Sequence, residues 1–319
     1  MRFITSDART RRLLAEIRTA SPLAEPVLVR GETGVGKELA ARLIHEWSGR
    51  GGEPFVPVNG AALTRELFGS ALFGHERGSF TGAVSRRPGL LEAAGRGTLF
   101  LDEIAELDLS LQAKLLRLLD NGEFLPVGSD RPRFSGARIV AATNRDLEEL
   151  MEAGRFRRDL FYRINVLAFS IPPLRARRGD IMALADHFLS RMSERAGFGR
   201  LALSDAARAL LVVYDWPGNV RELEAEMVRA AVSAGGGLVR ARHLSPPLIH
   251  SLGKEREEPD DGLDKRILAF ERREIERALR ASGGNRSEAA RLLGLKRTTL
   301  LYRMRRHGIA VPDGSSRID

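Results

Sequence analysis

"VLVRGETGVGKELAARLIHEW", residues 27–47, carries three signals whose order decides the fold. "VLVR" (27–30) is apolar and reads as a buried strand. "GETGVGKE" (31–38) follows at once, and an amphipathic helix opens on it, with Leu39, Leu43 and Trp47 expected on one face. A glycine-rich turn between a strand and a helix is the setting that a phosphate-binding loop requires. Gly31, Gly34 and Gly36 let the backbone turn so that the N–H groups of the loop, with Glu32, Thr33 and Val35 between them, face an anion. The helix N-terminus adds partial positive charge, and Lys37 reaches the β- and γ-phosphates. Glu38 stands where the general motif places the Ser or Thr that meets magnesium. The chain has five lysines in all, so one at this position is a pointed choice.

Working outward, "PFVPVN" (54–59), "TLFLDE" (98–103), "RIVAAT" (138–143) and "LAFSIP" (167–172) read as further strands separated by helical patterns. Strands alternating with helices imply a mostly parallel sheet covered on both faces, an α/β fold over residues 1–177. Ligands of such sheets bind at the carboxyl ends of the strands. Asp102 and Glu103 end one strand there, Asp102 suited to holding Mg²⁺, directly or through water, and Glu103 to polarising an attacking water. Asn144 ends another, a neutral side chain able to sense a γ-phosphate. Hydrolysis needs positive charge against the phosphate, and "GRFRRDLFYRIN" (154–165) offers Arg155, Arg157, Arg158 and Arg163. Taken singly, each is as readily a surface arginine. Arg221, in "WPGNVREL" (216–223), follows a Pro-Gly turn and could lean across the cleft onto a nucleotide.

From Gly179 to Ile249 the pattern is all helical, so a small helical domain is expected over 178–250. "SLGKEREEPDDGLD" (251–264) is polar, charged and broken by Pro and Gly, the composition of a flexible linker. A compact helical module fills 265–319, with a first helix expected over Lys265–Ala281. The net charge of +9 is concentrated in it: from Asp264 onward, 14 Lys/Arg face 7 Asp/Glu. Such a basic end suggests a polyanion, nucleic acid before membrane. "GGNRSEAARLLGLKRTTLLYRMRRHGI" (283–309) fits a helix-turn-helix. Ser287 caps one helix, Ala289, Ala290 and Leu293 face inward, Gly294 makes the turn, and Leu300 packs the second helix on the first. Lys296, Arg297, Thr298, Thr299, Tyr302 and Arg303 are left near DNA. No apolar run approaches the ~18 residues of a membrane span, and with no cysteine there is no disulfide framework. The N-terminus lacks the apolar core of a secretion signal, so a cytoplasmic location is expected.

One stretch resists this reading. In "GHERGSFTGA" (74–83), Phe80 sits among glycines, charges and hydroxyls on a segment that should lie at the surface. Together with "LFGHERGSFTGA", "GTLFLDEI", "AATNRDL", "FRRDLFYRIN" and "WPGNVREL", in order along nearly the whole chain, it resembles the AAA+ activators of sigma-54 RNA polymerase, the bacterial enhancer-binding proteins. "GSFTGA" (Gly78, Ser79, Phe80, Thr81, Gly82, Ala83) is the most specific element, similar to the loop with which that family meets sigma-54. Ser79 replaces the family's usual Ala, and Gly69 and Ala71 stand where acidic residues are usual; Glu38 is normal for the family.

The resemblance implies an AAA+ ATPase subdomain, a helical lid and a Fis-type DNA-binding module, with ATP and Mg²⁺ as ligands. It implies that Asn59 holds Glu103 in a nucleotide-sensing switch, that Arg157 and Arg163 reach the ATP of a neighbouring subunit, and that Arg221 is a second sensor. Residues 122–132 match a second loop beside the first. Partners implied are sigma-54 RNA polymerase holoenzyme, double-stranded enhancer DNA, and further copies of the chain in a hexamer, with dimers through the DNA-binding end. With the ATPase starting almost at Met1, an N-terminal regulatory domain is not expected and control falls to a separate regulatory protein, to constitutive activity, or to a sensor that has been removed. Two other classes remain open at this stage: a DNA-binding regulator that binds ATP without turning it over, and a related AAA+ remodeller with another target.

Overall fold

Strand β1, Val27–Arg30, lies inside a five-stranded sheet with β2 (Phe55–Asn59), β3 (Thr98–Asp102), β6 (Arg138–Thr143) and β7 (Leu167–Ser170), in the order β2-β3-β6-β1-β7. All four pairings are parallel, and Val27 aligns with Val140 on one side and Leu167 on the other. The computed structural model describes residues 3–60, 65–80, 83–197, 199–250, 263–295, 297–306 and 309. Contacts divide the chain into two compact units, Met1–Leu252 and Gly253–Asp319.

Successive strand residues point to opposite faces of the sheet, and the sequence fills both with apolar side chains. Leu28, Val58, Leu99, Leu101, Ile139 and Ala141 enter one core, with helices α3 (Arg65–Phe73), α4 (Leu90–Ala94), α5 (Leu109–Asn121), α6 (Leu147–Glu152) and α7 (Arg158–Ile164). Val27, Val29, Phe100, Val140 and Ala142 enter another, with α1 (Ala8–Ala20) and α2 (Lys37–Trp47). The face of α2 differs from the expected stripe: Ala40, Ala41, Leu43 and Ile44 are buried, while Leu39 and Trp47 are only half-buried. Small alanines let the helix backbone approach the sheet, so the buried face is set by closeness rather than by side-chain size. After α5, Gly122 turns the chain with φ 74°, and β4 (Glu123–Phe124) pairs antiparallel with β5 (Arg133–Phe134), holding the expected second loop between them.

The rest of the first unit is helical, with α8 (Gly179–Ala196), α9 (Asp205–Val213), α10 (Asn219–Ala234) and α11 (Pro246–His250). Their own core surrounds the fully buried Trp216, whose indole N–H donates to Leu211 O at 2.9 Å. The all-helical expectation missed one feature, a parallel pair of two-residue strands, β8 (Ala202–Leu203) and β9 (Leu238–Val239). Two residues are too few for any periodicity to register.

In the second unit α12 (Leu263–Ala281), α13 (Arg286–Leu292) and α14 (Arg297–Arg306) enclose Ile275, Ala278, Leu279, Ala289, Ala290, Leu300 and Met304. Leu300 and Met304, one turn apart, fix the inward face of α14. The cap of α13 is not Ser287 but Asn285, whose side-chain oxygen accepts from the N–H groups of Ser287 and Glu288 at 3.0 and 3.3 Å. Gly294 makes the turn with φ 63°, as expected of a glycine there. Most of the expected linker, 251–264, lies outside the described residues, as do Thr81, Gly82 and Lys296 and the side chains of Thr298 and Tyr302.

Candidate active site

The carboxyl ends of β1, β2, β3 and β6 deliver the polar residues to one edge of the sheet. A cavity of about 430 Å³ opens there, lined by Thr33, Gly34, Gly36, Lys37, Asn59, Asp102, Glu103 and Arg221 among others. Gly34 and Gly36 adopt φ 80° and 107°, conformations that any residue with a Cβ rarely takes, which is why the loop after β1 needs glycine. A side chain at Gly34 would also strike Gly218 O at 2.3 Å, so the loop is closed against the helical part of the unit. Gly31, Glu32, Val35 and Glu38 complete the loop, Glu38 facing solvent and held by Arg42 one turn on.

Lys37, 7% exposed, donates to Gly31 O at 2.9 Å and meets Glu103 Oε1 at 3.4 Å. A lysine folded back on its own loop is poised for an anion that outcompetes one carbonyl and one shared carboxylate. Glu103 has φ 54°, an uncommon backbone state for a glutamate, and its other oxygen accepts the Asn144 N–H at 3.3 Å. Asn144 Nδ2 donates to Thr33 Oγ1 at 2.9 Å, tying the end of β6 to the phosphate loop. Asp102 accepts the Glu103 N–H at 3.1 Å; burial, reinforced by the neighbouring Glu103 charge, pushes its carboxyl above the usual carboxylate range. Asn59 pairs in register with Asp102 across β2 and β3, which places it beside the carboxylates in the same cavity.

Arg221 reaches this edge from the helical part. The N–H groups of Val220 and Arg221, at the start of α10, donate to Gly34 O at 3.0 and 3.3 Å. Sequence reasoning missed the residue that fixes this contact, Asn219. Fully buried, it donates through Nδ2 to Glu32 Oε2 and Thr33 O at 3.0 and 3.1 Å and accepts the Leu174 N–H at 2.8 Å. Its signal was present, since an Asn straight after a Pro-Gly turn suits the left-handed backbone it adopts, φ 54°. Glu32 is held by Arg175, Nη1 to Oε2 at 2.8 Å, and by Asn219, which together lower its carboxyl to about 2.

The remaining arginines lie elsewhere. Arg157 is 40% exposed and clamps Asp159 at 2.6 and 3.0 Å, and this holds the Asp159 carboxyl below its usual range. Arg163 donates to Leu119 O at 2.9 Å and pairs with Asp120 at 3.2 Å. Arg155 lines a different cavity, and none of the three lines the cavity that holds Lys37 and Asp102.

The Phe80 loop sits on a stem rather than in a core. His75 bridges Arg87 on one side and Val127 on the other, and the Glu76 N–H donates to Val127 O at 3.0 Å, so the first loop and the second share a ladder. Phe80 is 41% exposed, its ring edge-on to His75 at 5.1 Å. Gly78 has φ 81°, Ala83 is buried, and the Ser79 hydroxyl is buried with no hydrogen-bond partner among the described residues. On α14, Arg297 is exposed and Thr299 and Arg303 are half-exposed, whereas Leu300 and Met304 are buried. Among the described residues no helix is long and apolar enough to cross a membrane.

Residues 3–170 match the Sigma-54 interaction domain, residues 175–261 the AAA+ ATPase lid domain, and residues 268–307 the bacterial regulatory proteins of the Fis family. Regulatory protein AtoC of Escherichia coli (strain K12) is 44% identical over 292 residues, which are 90% of this chain and 63% of AtoC. Transcriptional regulatory protein ZraR of Salmonella typhimurium is 45% identical over 303 residues, 95% of this chain and 68% of ZraR. Among solved structures, NtrX from Brucella abortus in complex with ATP superposes with a TM-score of 0.71 at 32% identity, over 97% of this chain and 70% of that one. The NtrX complex with ADP gives 0.72 at 31% identity, over 97% and 69%.

Proposed function

The chain belongs to the sigma-54 interaction family of AAA+ proteins, with an AAA+ lid and a Fis-type module, and from that premise we propose that it is an ATP-hydrolysing transcriptional activator. Its cycle drives the loop 78–83 against sigma-54 RNA polymerase and turns a closed promoter complex into an open one, while the residues 265–319 hold enhancer DNA. The observation that carries this reading is the meeting of Lys37, Asp102, Glu103, Asn144 and Arg221 around one cleft, with the Phe80 loop held outside it on a shared ladder.

In this reading the N–H groups of 32–37 and the Lys37 ammonium bind the phosphates, and Glu103 accepts the proton of the attacking water. Asn144, joined to Glu103 through its own N–H, and Asn59, in register with Asp102, respond when a γ-phosphate draws Lys37 and Glu103 apart. Arg221 senses the same nucleotide from the lid. Among the described residues no cluster of three or more His, Cys, Asp or Glu is arranged to hold a metal. Asp102, at the end of β3 in the cleft, is the residue that would hold a Mg²⁺ ion accompanying the nucleotide. Such an ion would supply positive charge against the phosphates.

Arg157 and Arg163, away from the cleft of their own chain, complete the site of a neighbouring copy, which makes hydrolysis depend on a hexameric ring. Arg297, Thr299 and Arg303 of α14 are the proposed DNA contacts among the described side chains, and Lys296, Thr298 and Tyr302 are assigned the same role from sequence alone, in modules that pair to read two half-sites. The boundaries 1–177, 178–250, 251–264 and 265–319 divide these tasks, and a cytoplasmic location goes with such partners.

The test is an open-complex assay with purified chain, sigma-54 holoenzyme, enhancer-bearing promoter DNA and ATP. Open complexes are expected with ATP and not with a non-hydrolysable analogue, and Thr81→Ala is expected to abolish them while ATPase activity stays within about threefold. ATP hydrolysis without open complexes on any sigma-54 promoter would overturn the assignment of the target.

A further inference from the structure

Phe3 and Ile4 are neighbours in sequence but enter different cores. Phe3 packs on the α1–α2 side of the sheet with Val35 and Ile171, whereas Ile4 joins the helical core around Trp216. The backbone after them is fastened by one side chain, Asp180, the second residue of α8 and fully buried. Its carboxylate accepts from Thr5 Oγ1 at 2.8 Å, the Ser6 N–H at 2.6 Å, Ser6 Oγ at 3.2 Å and the Asp7 N–H at 3.0 Å. A buried carboxylate is tolerated only when such donors and a countercharge replace its water. The countercharge is Arg177, itself buried, with Nη1 3.7 Å from the Asp180 carboxylate.

Arg177 also faces the other way. Its Nη2 donates to Val35 O at 2.8 Å, inside the phosphate loop, and its guanidinium lies over the Phe3 ring at 5.4 Å. The Phe3 ring in turn covers Gly36, where an added Cβ would stand 3.6 Å from Cε2. Five consecutive residues, one buried ion pair and the phosphate loop therefore form a single packed unit, although residues 5 and 180 are 175 apart in the chain.

We propose that Asp180 is a positioning residue for the nucleotide site. It straps residues 3–7 across the junction between the sheet and the helical part of the unit, and through Arg177 it holds the phosphate loop at Val35 in its binding shape. None of residues 3–7, Arg177 and Asp180 lines the cleft itself, so their effect reaches the nucleotide through the loop backbone.

This inference rests on the nucleotide reading of the cleft, and its test begins without nucleotide. In the full chain, Asp180→Asn keeps the shape of the side chain but turns an acceptor into a donor facing donors. Backbone amide exchange is expected to accelerate at least tenfold in residues 3–7 and also in residues 33–37. The KM for ATP is expected to rise about tenfold, equivalent to about 1.4 kcal/mol, with kcat at saturating ATP within twofold. Faster exchange in 3–7 with 33–37 and KM unchanged would overturn the proposal, leaving a local fastening with no reach to the loop. A loss in kcat at unaltered KM would overturn it as well, because a device that shapes the binding loop must appear in binding. Should Asp180→Asn fail to fold, Thr5→Val removes one donor to Asp180 and one acceptor of the Asp7 N–H at the rim of the network, and is judged by the same two readings, with a KM effect of about threefold. A wild-type chain that binds no ATP would contradict the nucleotide reading but leave the exchange result standing, so the two failures are separable.

Discussion

The cleft around Lys37 and the exposed Arg157 and Arg163 differ in how their charges are answered. In the cleft, the charged groups answer one another within the chain: Lys37 to Glu103, Glu32 to Arg175 and Asn219, and Asp102 to the Glu103 N–H. The exposed arginines hold groups close by, Arg157 the carboxylate of Asp159 two residues on, and Arg163 the Asp120 carboxylate and the Leu119 carbonyl at the end of α5. Exposed pairs of this kind contribute about 0–1 kcal/mol each, so a stronger anion can displace such a carboxylate readily. The cleft holds its charges in fixed mutual contacts and the exposed arginines hold theirs loosely, which is the difference that the proposed sharing of a catalytic site between two copies requires.

The largest effect that would break this comparison is on turnover. Arg157→Ala is expected to lower kcat by about a thousandfold, the scale of an arginine supplied across an interface, while ATP binding to the isolated chain stays within about threefold. Mixing this variant with chains that carry Glu103→Gln should restore part of the activity, because intact Arg157 then meets intact Glu103 at some junctions. Equal activity of Arg157→Ala and wild type at high protein concentration would place the arginine outside the reaction.

Lys37→Ala tests the other half. Losing a nearly buried cation costs about 2–5 kcal/mol when its partner group is left behind, so ATP affinity by calorimetry should fall by about a hundredfold or more. The stability of the ligand-free chain should change far less, since the displaced Glu103 faces a cleft open to water. Unchanged affinity would remove the phosphate loop from the argument.

Sequence made the cleft legible because its chemistry restricts residue type. Only glycine fits Gly34 and Gly36, only lysine reaches over the loop, and carboxylates that end a strand are few. What it hid were long-range partners. Asn219, Arg175, Arg177 and Asp180 reach residues 5–35 across more than 140 positions of chain, and no period or spacing announces such pairings. The face of α2 was misjudged for a related reason: Leu39, Leu43 and Trp47 win by size, but Ala40 and Ala41 win by proximity to the sheet. At α13, Asn285 and Ser287 are both good caps, and Asn285 prevails because its one oxygen reaches two free N–H groups.

Asp102 sharpens the comparison through pH. A carboxyl whose pKa is raised in the folded state above its ordinary value of 3.8 keeps its proton more tightly folded than unfolded. Folding stability therefore falls as pH climbs from that ordinary value through the raised one, then levels off. Asp102→Asn removes this penalty, so its melting temperature should exceed that of wild type near neutral pH and the gap should close in acid. Magnesium and ATP should narrow the gap at neutral pH by stabilising wild type alone. A variant that melts below wild type at pH 7 without ligand would show that the Asp102 charge supports the fold instead of the chemistry.

The smallest expected effect concerns the stem of the Phe80 loop. Ser79 lies against Gly128 of the second loop, where an added Cβ would stand 2.5 Å from that of Ser79, and the Ser79 hydroxyl has no partner among the described residues. Removing a buried, unpaired hydroxyl is neutral to favourable, by up to about 1 kcal/mol. The two loops are joined by backbone, through the Glu76 N–H to Val127 O and the Val127 N–H to Gly74 O, so Ser79→Ala should leave that ladder in place. Gly128→Ala makes the opposite change, adding bulk at φ 78° against the Ser79 backbone. Thermal melting should therefore rank Ser79→Ala at or slightly above wild type and Gly128→Ala below both, with ATP affinity the same in all three. If Ser79→Ala instead lost stability, the hydroxyl would have a partner in the working loop, and serine here would be part of how the loop is held rather than a tolerated substitute for alanine.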